Sequence, residues 1–205
     1  LHWHGMHLPA AMDGGPHQMV GPGATWSPSW TVDQPAATLW YHPHLHGQMG
    51  LPNGMFGEIQ VGDTPVVQNR TVSGVQIGEV KPAQDIPMVL NDAGTIGFSL
   101  NGKSFPATEP IVVNEGEWVT MTYFNEGFQS HPMHLHQFPQ LVTAIDGIPL
   151  DQPYYADTIL VGPGQRYTVQ FQANAKGTWV FHCHILNHAE REDGMFGMVT
   201  AVVVQ

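Results

Sequence analysis

The feature that most constrains the fold of this 205-residue chain is an internal repeat. Residues 38–44 (TLWYHPH) match residues 178–184 (TWVFHCH) position by position, and 54–61 (GMFGEIQV) match 194–201 (GMFGMVTA). Self-similarity of this kind indicates two copies of one supersecondary unit. We therefore expect two related domains that share one architecture.

The composition of both halves favours short strands over helices. The chain contains 23 Gly and 17 Pro, which separate short runs rich in Val, Thr, Trp and Phe. This pattern is typical of an all-β sandwich, and no amphipathic helix longer than two turns is predicted. We predict strands at 38–42, 56–61, 86–90, 110–113, 117–124, 141–145, 166–172, 178–184 and 196–204.

The two copies differ in the length of chain before their histidines. Residues 85–130 precede the first histidine of the second copy, whereas Leu1 alone precedes that of the first. We expect a first domain at 1–61, a connecting segment at 62–84 and a second domain at 85–205. A sandwich without its opening strands leaves sheet edges unpaired, so the first domain is expected to lack its N-terminal strands.

Charge and hydrophobicity exclude several classes of protein. The chain has 6 Lys and Arg against 17 Asp and Glu, a net charge of −11. It therefore has no basic surface for nucleic acid. No apolar run approaches the ~18 residues that a membrane-spanning helix needs. A single cysteine excludes an internal disulfide.

Histidine is the unusual residue of the sequence, with 13 copies. Alternate residues of a strand share a face, so an H-x-H pair presents two imidazoles together, and neutral imidazole is a common ligand for zinc, copper and iron. The sequence contains four such pairs: His2 and His4, His42 and His44, His134 and His136, and His182 and His184. Four pairs at matched positions indicate metal binding.

The one cysteine lies inside the last of these pairs. On a strand, Cys183 points to the face opposite His182 and His184. A thiolate with two imidazoles, supplied by His131 and His188, and a weak axial thioether is the ligand set of a blue-copper site. We predict Met195 as the axial ligand, with Met198 as the less favoured choice.

The eight paired imidazoles are too many for one ion and predict a metal cluster. Copper is favoured over zinc because the thiolate site implies a redox metal, and zinc has no second oxidation state. Cys183 would then connect the thiolate site to the cluster through its two histidine neighbours. His46 extends the second pair to H-x-H-x-H and is not predicted to be a ligand.

Four segments together resemble the copper-binding motifs of the multicopper oxidases, a family that includes laccases and is built from cupredoxin domains. They are HWHG (2–5), WYHPHLHG (40–47), HPMHLH (131–136) and HCHILNH (182–188). The resemblance implies two Greek-key β-sandwich domains. The arrangement is most similar to two-domain laccases, which implies a homotrimer with each cluster shared between neighbouring chains.

The resemblance also implies a role for each ligand. It assigns His131, Cys183 and His188 to a type 1 copper, and His2 and His134 to a type 2 copper. The remaining ligands, His4, His42, His44, His136, His182 and His184, would hold a type 3 pair. The implied reaction takes single electrons from small phenolic or other aromatic donors and reduces O2 to water. The implied location is periplasmic or secreted.

The family's axial methionine falls five residues after the last motif histidine, a position that Asp193 occupies here, so Met195 requires a small loop insertion.

Reduction of O2 needs protons. Asp13 matches the position of an acidic residue that delivers protons in relatives, and Glu190 is a second candidate. Asp13 also fits an ordinary Asp-Gly turn.

Two other functions remain open. A copper nitrite reductase would carry its type 1 cysteine in the first domain, where this chain has Pro43. A copper-binding or electron-transfer protein without oxidase turnover would keep the fold and lose catalysis. The intact ligand set favours the oxidase.

Overall fold

The computed structural model describes residues 1–205, and strands dominate it as the sequence predicted. Helical structure is limited to one turn of α-helix and three short 3-10 helices. None of these helices has the length and apolar character needed to span a bilayer.

The first part of the chain forms one antiparallel sheet in the order β1-β2-β3. The central strand is buried on both faces, since Leu39 is 1% and Trp40 is 2% exposed. Leu39 packs against Gly5, and also against Gly147 of the second part. The elements are β1 (His2–His4), β2 (Ala37–His42), α1 (Gly47–Gly50) and β3 (Gly57–Val61), with 3-10 turns at Ala10–Met12 and Leu51–Asn53.

The second part forms a sandwich of two sheets. One has the order β12-β11-β14-β9-β6-β7 and the other the order β13-β10-β15-β18-β8. A core of 22 buried residues fills the space between them. The strands are β6 (Pro82–Ala93), β7 (Gly97–Leu100), β8 (Ile111–Val113), β9 (Trp118–Asn125), β10 (His131–Leu135), β11 (Gln140–Ile145), β12 (Ile148–Ala156), β13 (Thr158–Val161), β14 (Arg166–Gln172), β15 (Gly177–Cys183) and β18 (Val199–Val204).

Neighbouring strands in both sheets are often distant in sequence. β6 pairs in parallel with β9, and β8 pairs in parallel with β18, so long connections cross between the layers. After β15 a 3-10 turn (Leu186–His188) leads into a small hairpin of β16 (Glu190–Arg191) and β17 (Gly194–Met195). The resulting Greek-key sandwich is the cupredoxin-like fold that the sequence predicted.

Residues 62–84, expected to be a connecting segment, contain a hairpin of β4 (Arg70–Val72) and β5 (Val75–Ile77). Val72, Ile77 and Val80 form a small buried cluster with Leu141 of the second sandwich. Val67 is tied to the same sandwich because its amide donates to Gln170 Oε1 at 2.8 Å. The segment is therefore docked on the second domain along part of its length.

Candidate metal centres

The first centre surrounds the single cysteine. Cys183 ends β15, His131 begins β10, and His188 ends the 3-10 turn that follows β15. Cys183 Sγ lies 3.7 Å from His131 Nδ1 and 3.6 Å from His188 Nδ1. Cys183 and His131 are completely buried, and His188 is 1% exposed. The sequence-predicted ligands therefore converge in a dry site.

The spacing of these donor atoms fits a small trigonal ion. Bonds of about 2.3 Å to sulfur and about 2.0 Å to nitrogen, set 120° apart, place the sulfur and nitrogen roughly 3.7 Å from each other. Both observed sulfur–nitrogen distances agree with that value. One soft thiolate with two imidazoles is the donor set of a type 1 copper site. The residues present therefore fit copper.

Burial sets the protonation of the ligands before a metal binds. It lowers the pKa of His131 to about 4, although Asp92 acts in the opposite direction. It lowers the pKa of His188 as well. Both imidazoles are thus neutral at pH 7 and ready to coordinate. Burial raises the pKa of Cys183 to about 11, so an incoming ion has to displace the thiol proton.

A buried carboxylate fixes one of the imidazoles. Asp92, at the end of β6, is 1% exposed at its side chain, and its Oδ2 lies 3.0 Å from His131 Nε2. The amides of Phe128 and Gln129 donate to the same carboxylate at 2.9 and 2.7 Å. With Nε2 occupied, Nδ1 is the nitrogen that faces Cys183. Asp92 could not be predicted from the sequence, because no motif spacing links it to His131.

The two candidate axial methionines lie in different surroundings. Met195 lies on β17 of the outer hairpin and is 44% exposed. Met198 is completely buried, and its carbonyl accepts the amide of Cys183 at 3.0 Å. Met198 is therefore the methionine that the fold holds next to the cysteine in this structure. The axial role of Met195 stays a prediction.

The paired histidines form two groups of imidazoles, and the strand register is the same in both. His2 is directly opposite His42 on β1 and β2, and His134 is directly opposite His182 on β10 and β15. The structure thus repeats the relationship seen in the sequence. The first group comprises His2, His4, His42 and His44, and the second comprises His134, His136, His182 and His184.

Within each group the imidazoles are close enough to share a metal. His4 Nδ1 lies 3.2 Å from His42 Nε2, and His136 Nε2 lies 3.2 Å from His182 Nε2. Burial, together with the neighbouring Arg166 guanidinium, lowers the pKa of His4 to about 4. Neutral rings at these distances suit shared coordination of positive ions.

The two groups do not meet within one chain. Ring contacts join members of the same group, and no ring contact or hydrogen bond joins an imidazole of the first group to one of the second. Cys183 lies in the first centre while its neighbours His182 and His184 belong to the second imidazole group. The opposite orientation of cysteine and histidines along β15 is as predicted.

The remaining candidate residues lie in different places. Asp13 Oδ1 is 3.5 Å from His2 Nδ1, and the Asp13 carbonyl is 3.0 Å from the same nitrogen. Glu190 is exposed on β16, where it pairs with Met195. His46 is exposed at the start of α1. Asp13 is therefore beside a predicted cluster ligand, whereas Glu190 makes no hydrogen bond or ion pair with either imidazole group.

Comparison with known proteins supports the interpretation of these centres. Two family profiles, both described as multicopper oxidase, match residues 1–65 and 77–205. Multicopper oxidase MmcO of Mycobacterium tuberculosis is 32% identical over 111 residues, which are 53% of this chain and 21% of that protein. Copper resistance protein A of Escherichia coli is 33% identical over 99 residues, 48% of this chain and 16% of that protein. The chain therefore matches about a fifth or less of these relatives' length.

Solved structures match over nearly all of this chain. The blue copper oxidase from Nitrosomonas europaea aligns with a TM-score of 0.78 and 29% identity, covering 99% of this chain and 68% of that one. Multicopper oxidase mgLAC aligns with a TM-score of 0.73 and 30% identity, covering 100% of this chain and 68% of that one. With a family profile over more than half its length and a fitting cysteine–histidine site, the chain belongs to the multicopper oxidase family.

Proposed function

We propose that this protein is a laccase-like oxidase that removes single electrons from phenolic or similar small donors and reduces O2 to water. The observation that carries the proposal is the position of Cys183. Its sulfur belongs to the type 1 ligand set, and its two chain neighbours belong to an imidazole group. The tripeptide His182-Cys183-His184 therefore links the proposed type 1 site, where donors would be oxidised, to a second proposed metal site.

Each part of the site has a defined task in this proposal. His131, Cys183 and His188 would hold the type 1 copper, and the eight paired histidines would hold the type 2 copper and the type 3 pair. Bound copper would supply the one-electron redox chemistry that couples the donor to O2. The protein excludes water from Cys183, and burial keeps His4 and His131 neutral by lowering the pKa of each to about 4.

Proton delivery is proposed for the carboxylate nearest the cluster ligands. Each O2 that becomes two waters consumes four electrons and four protons, so a proton donor near the cluster is required. Asp13 is half-exposed and 3.5 Å from His2 Nδ1, which places it between solvent and the first imidazole group. Glu190 remains the weaker candidate because it lies on the exposed hairpin.

We also propose that the chain works as a homotrimer with each cluster between neighbouring chains. The separation of the two imidazole groups within one chain supports this arrangement. A closed ring brings the first group of one chain against the second group of the next. A periplasmic or secreted location is proposed from the resemblance to laccases and is tested by fractionating cells that produce the protein.

Two other functions give different results in the same assays. A copper nitrite reductase needs a thiolate ligand in the first domain, where Pro43 stands in the position equivalent to Cys183. A copper protein without turnover would bind the metal and consume no O2. The ligand set favours the oxidase over both.

The test combines electron paramagnetic resonance of the copper-loaded protein with O2 uptake. We expect type 1 and type 2 signals, a silent type 3 pair, and O2 consumption when 2,6-dimethoxyphenol is added. Cys183→Ser is the matched variant and should lose the type 1 signal and the turnover while keeping the type 2 signal. Absence of a type 1 signal in the unaltered protein would refute the proposal.

A further inference from the structure

One ligand of the proposed type 1 site is covered by an aromatic ring that belongs to no sequence motif. Phe98, on β7, stacks on His188 with ring centroids 4.2 Å apart and planes inclined by 23°. His188 is 1% exposed, whereas Phe98 is half-buried and reaches the surface. A molecule approaching from solvent on this side therefore meets Phe98 before it can meet the imidazole.

The position of Phe98 is fixed by its surroundings. Phe196 contacts it edge-on at a centroid distance of 6.2 Å, and the Arg191 guanidinium lies 4.7 Å from the centre of the Phe196 ring. Gly197 has a φ of +69°, and a Cβ there would come 2.3 Å from the His188 carbonyl oxygen and 3.1 Å from Phe98 Cβ. A side chain at position 197 would clash with the His188 backbone and crowd Phe98, so glycine is required where these two residues come together.

We infer that Phe98 is a specificity-determining residue that separates electron donors from His188. In this arrangement a donor binds against the outer face of Phe98, and its electron crosses one ring layer to reach the type 1 ligands. The inference rests on the proposed oxidase function. Each donor molecule loses one electron to the type 1 copper, and a phenolic donor also loses its proton to solvent.

The arrangement predicts a dependence on the shape of the donor. A thin planar molecule could occupy the space of the Phe98 ring and stack directly on His188 if that ring were removed. A large octahedral complex could not enter such a slot and would react at the same distance as before. Removal of Phe98 should therefore favour thin planar donors selectively.

The first test measures how well Phe98 shields His188 from a reagent in protein that contains no copper. In metal-free protein, diethyl pyrocarbonate modification of each histidine is followed by mass spectrometry. His188 should react far more slowly than the exposed His7 and His17 in the unaltered chain, and faster in Phe98→Ala. His131, which is completely buried, is the internal control and should be protected in both proteins. Reaction of His188 at the rate of His7 in the unaltered chain would overturn the inference.

The second test follows reduction of the type 1 copper under argon by the loss of its blue absorption band. For hydroquinone, Phe98→Ala should raise the rate constant roughly five- to tenfold, the gain expected from one direct stacking contact. For bis(terpyridine)cobalt(II), the rate should change little. Phe98→Leu, which keeps an apolar cover over His188, is the matched control and should behave like the unaltered protein with both donors.

The outcomes separate this inference from the proposed function. If the unaltered protein shows no blue band, the proposed type 1 site has failed. If the band is present and is reduced, but Phe98→Ala reacts with hydroquinone no faster than Phe98→Leu, only the role of Phe98 is overturned. Should Phe98→Ala not fold, the modification rate of His188 in the unaltered chain still decides whether the imidazole is covered.

Discussion

At the scale of single residues, the proposed type 1 site combines neutral imidazole rings with a protonated thiol. Burial keeps His131 and His188 uncharged at pH 7, and it raises the pKa of Cys183 to about 11. Metal binding to such a set releases one proton, from the thiol. The charge of the buried site then depends on the incoming ion and on Asp92.

Metal affinity should therefore increase with pH. We expect the affinity of the type 1 site for Co2+, which does not oxidise the thiol, to rise about tenfold per pH unit between about pH 6 and 9. The rise occurs because Cys183 stays protonated in the metal-free protein until the pH approaches about 11. Titration of the thiolate-to-cobalt absorption measures it. Cys183→Ser should lose that absorption, and a pH-independent affinity in the unaltered protein would contradict the prediction.

Asp92 should contribute to metal affinity through His131. Its carboxylate is buried, and it fixes His131 Nε2 at 3.0 Å while accepting two backbone amides. Loss of a hydrogen-bond partner of this kind lowers metal affinity roughly 10- to 100-fold. We expect Asp92→Asn to weaken Co2+ binding by that factor and to shift the reduction potential of the copper-loaded site.

A matched variant separates this effect from a general change of charge. Asp193 is exposed and pairs with Arg191 at 2.8 Å on the outer hairpin. Asp193→Asn removes the same charge and should leave Co2+ affinity unchanged. Equal affinities for Asp92→Asn and Asp193→Asn would show that Asp92 does not position His131.

At the scale of elements, two strands and the turn after β15 supply the second domain's ligands. The two-residue period of β10 places His134 and His136 together, and the antiparallel pairing with β15 sets His134 opposite His182. The grouping of the histidines within each strand could be predicted from the sequence, because an H-x-H pair follows the two-residue period of a strand. Pairing between the two strands also brings His131 and Cys183 to the opposite face of the sheet.

Other elements could not be predicted for identifiable reasons. β12 contains Pro149 and Pro153, which argue against a central strand, and it lies at the edge of its sheet, where proline is tolerated. β6 extends from residue 82 to 93 although Pro87 lies within it, because β7 pairs only with its last residues. The predicted strand at 86–90 covered only the middle of this element.

The segment between β9 and β10 carries an ionisable group that should make stability depend on pH. Glu126 is 4% exposed, and its Oε2 has no hydrogen-bond partner. Burial raises its pKa to about 8. The folded state therefore binds more protons than the unfolded chain between about pH 4.5 and 8. The free energy of unfolding that protonated Glu126 contributes is fully present below about pH 4.5 and is lost as the pH rises through about 8.

Glu126→Gln should remove this dependence because the amide stays neutral. In metal-free protein, the unaltered chain should lose on the order of 2–4 kcal/mol relative to the variant between about pH 5 and 9. Urea unfolding at several pH values measures the difference. Glu192→Gln, at an exposed position of the outer hairpin, is the control and should follow the unaltered chain. Parallel stability curves for Glu126→Gln and the unaltered protein would contradict the prediction.

At the scale of the whole molecule, the eight paired histidines are divided between two separate groups. A cluster that uses all eight must join two chains if the groups keep the positions seen here. The acidic net charge of −11 opposes association at low salt, so specific contacts have to outweigh the repulsion. The proposed trimer can be tested through the sharing of ligands.

Two inactive variants should restore each other when mixed. His42→Ala with His44→Ala disables the first group, and His134→Ala with His136→Ala disables the second. After joint refolding in equal amounts, about a quarter of the interfaces in a ring should combine two intact groups. Type 2 resonance and O2 uptake should recover to that extent. No recovery, despite mixed oligomers seen by native mass spectrometry, would show that the cluster is not shared.

The sequence alone was enough to predict the family, the all-β fold and the candidate ligands, because each prediction rests on local spacing. H-x-H pairs, a lone cysteine between two histidines and an internal repeat are all readable without knowing which strands are neighbours. Asp92, Phe98 and the burial of Met198 became visible only in the tertiary structure. These residues lie on strands or turns that only the folded chain brings to the site. Contacts between residues far apart in sequence leave no periodic pattern in the sequence, so they could not be predicted from it. The separation of the imidazoles into two groups was likewise decided by tertiary packing, since spacing fixes which residues share a strand face but not which faces meet.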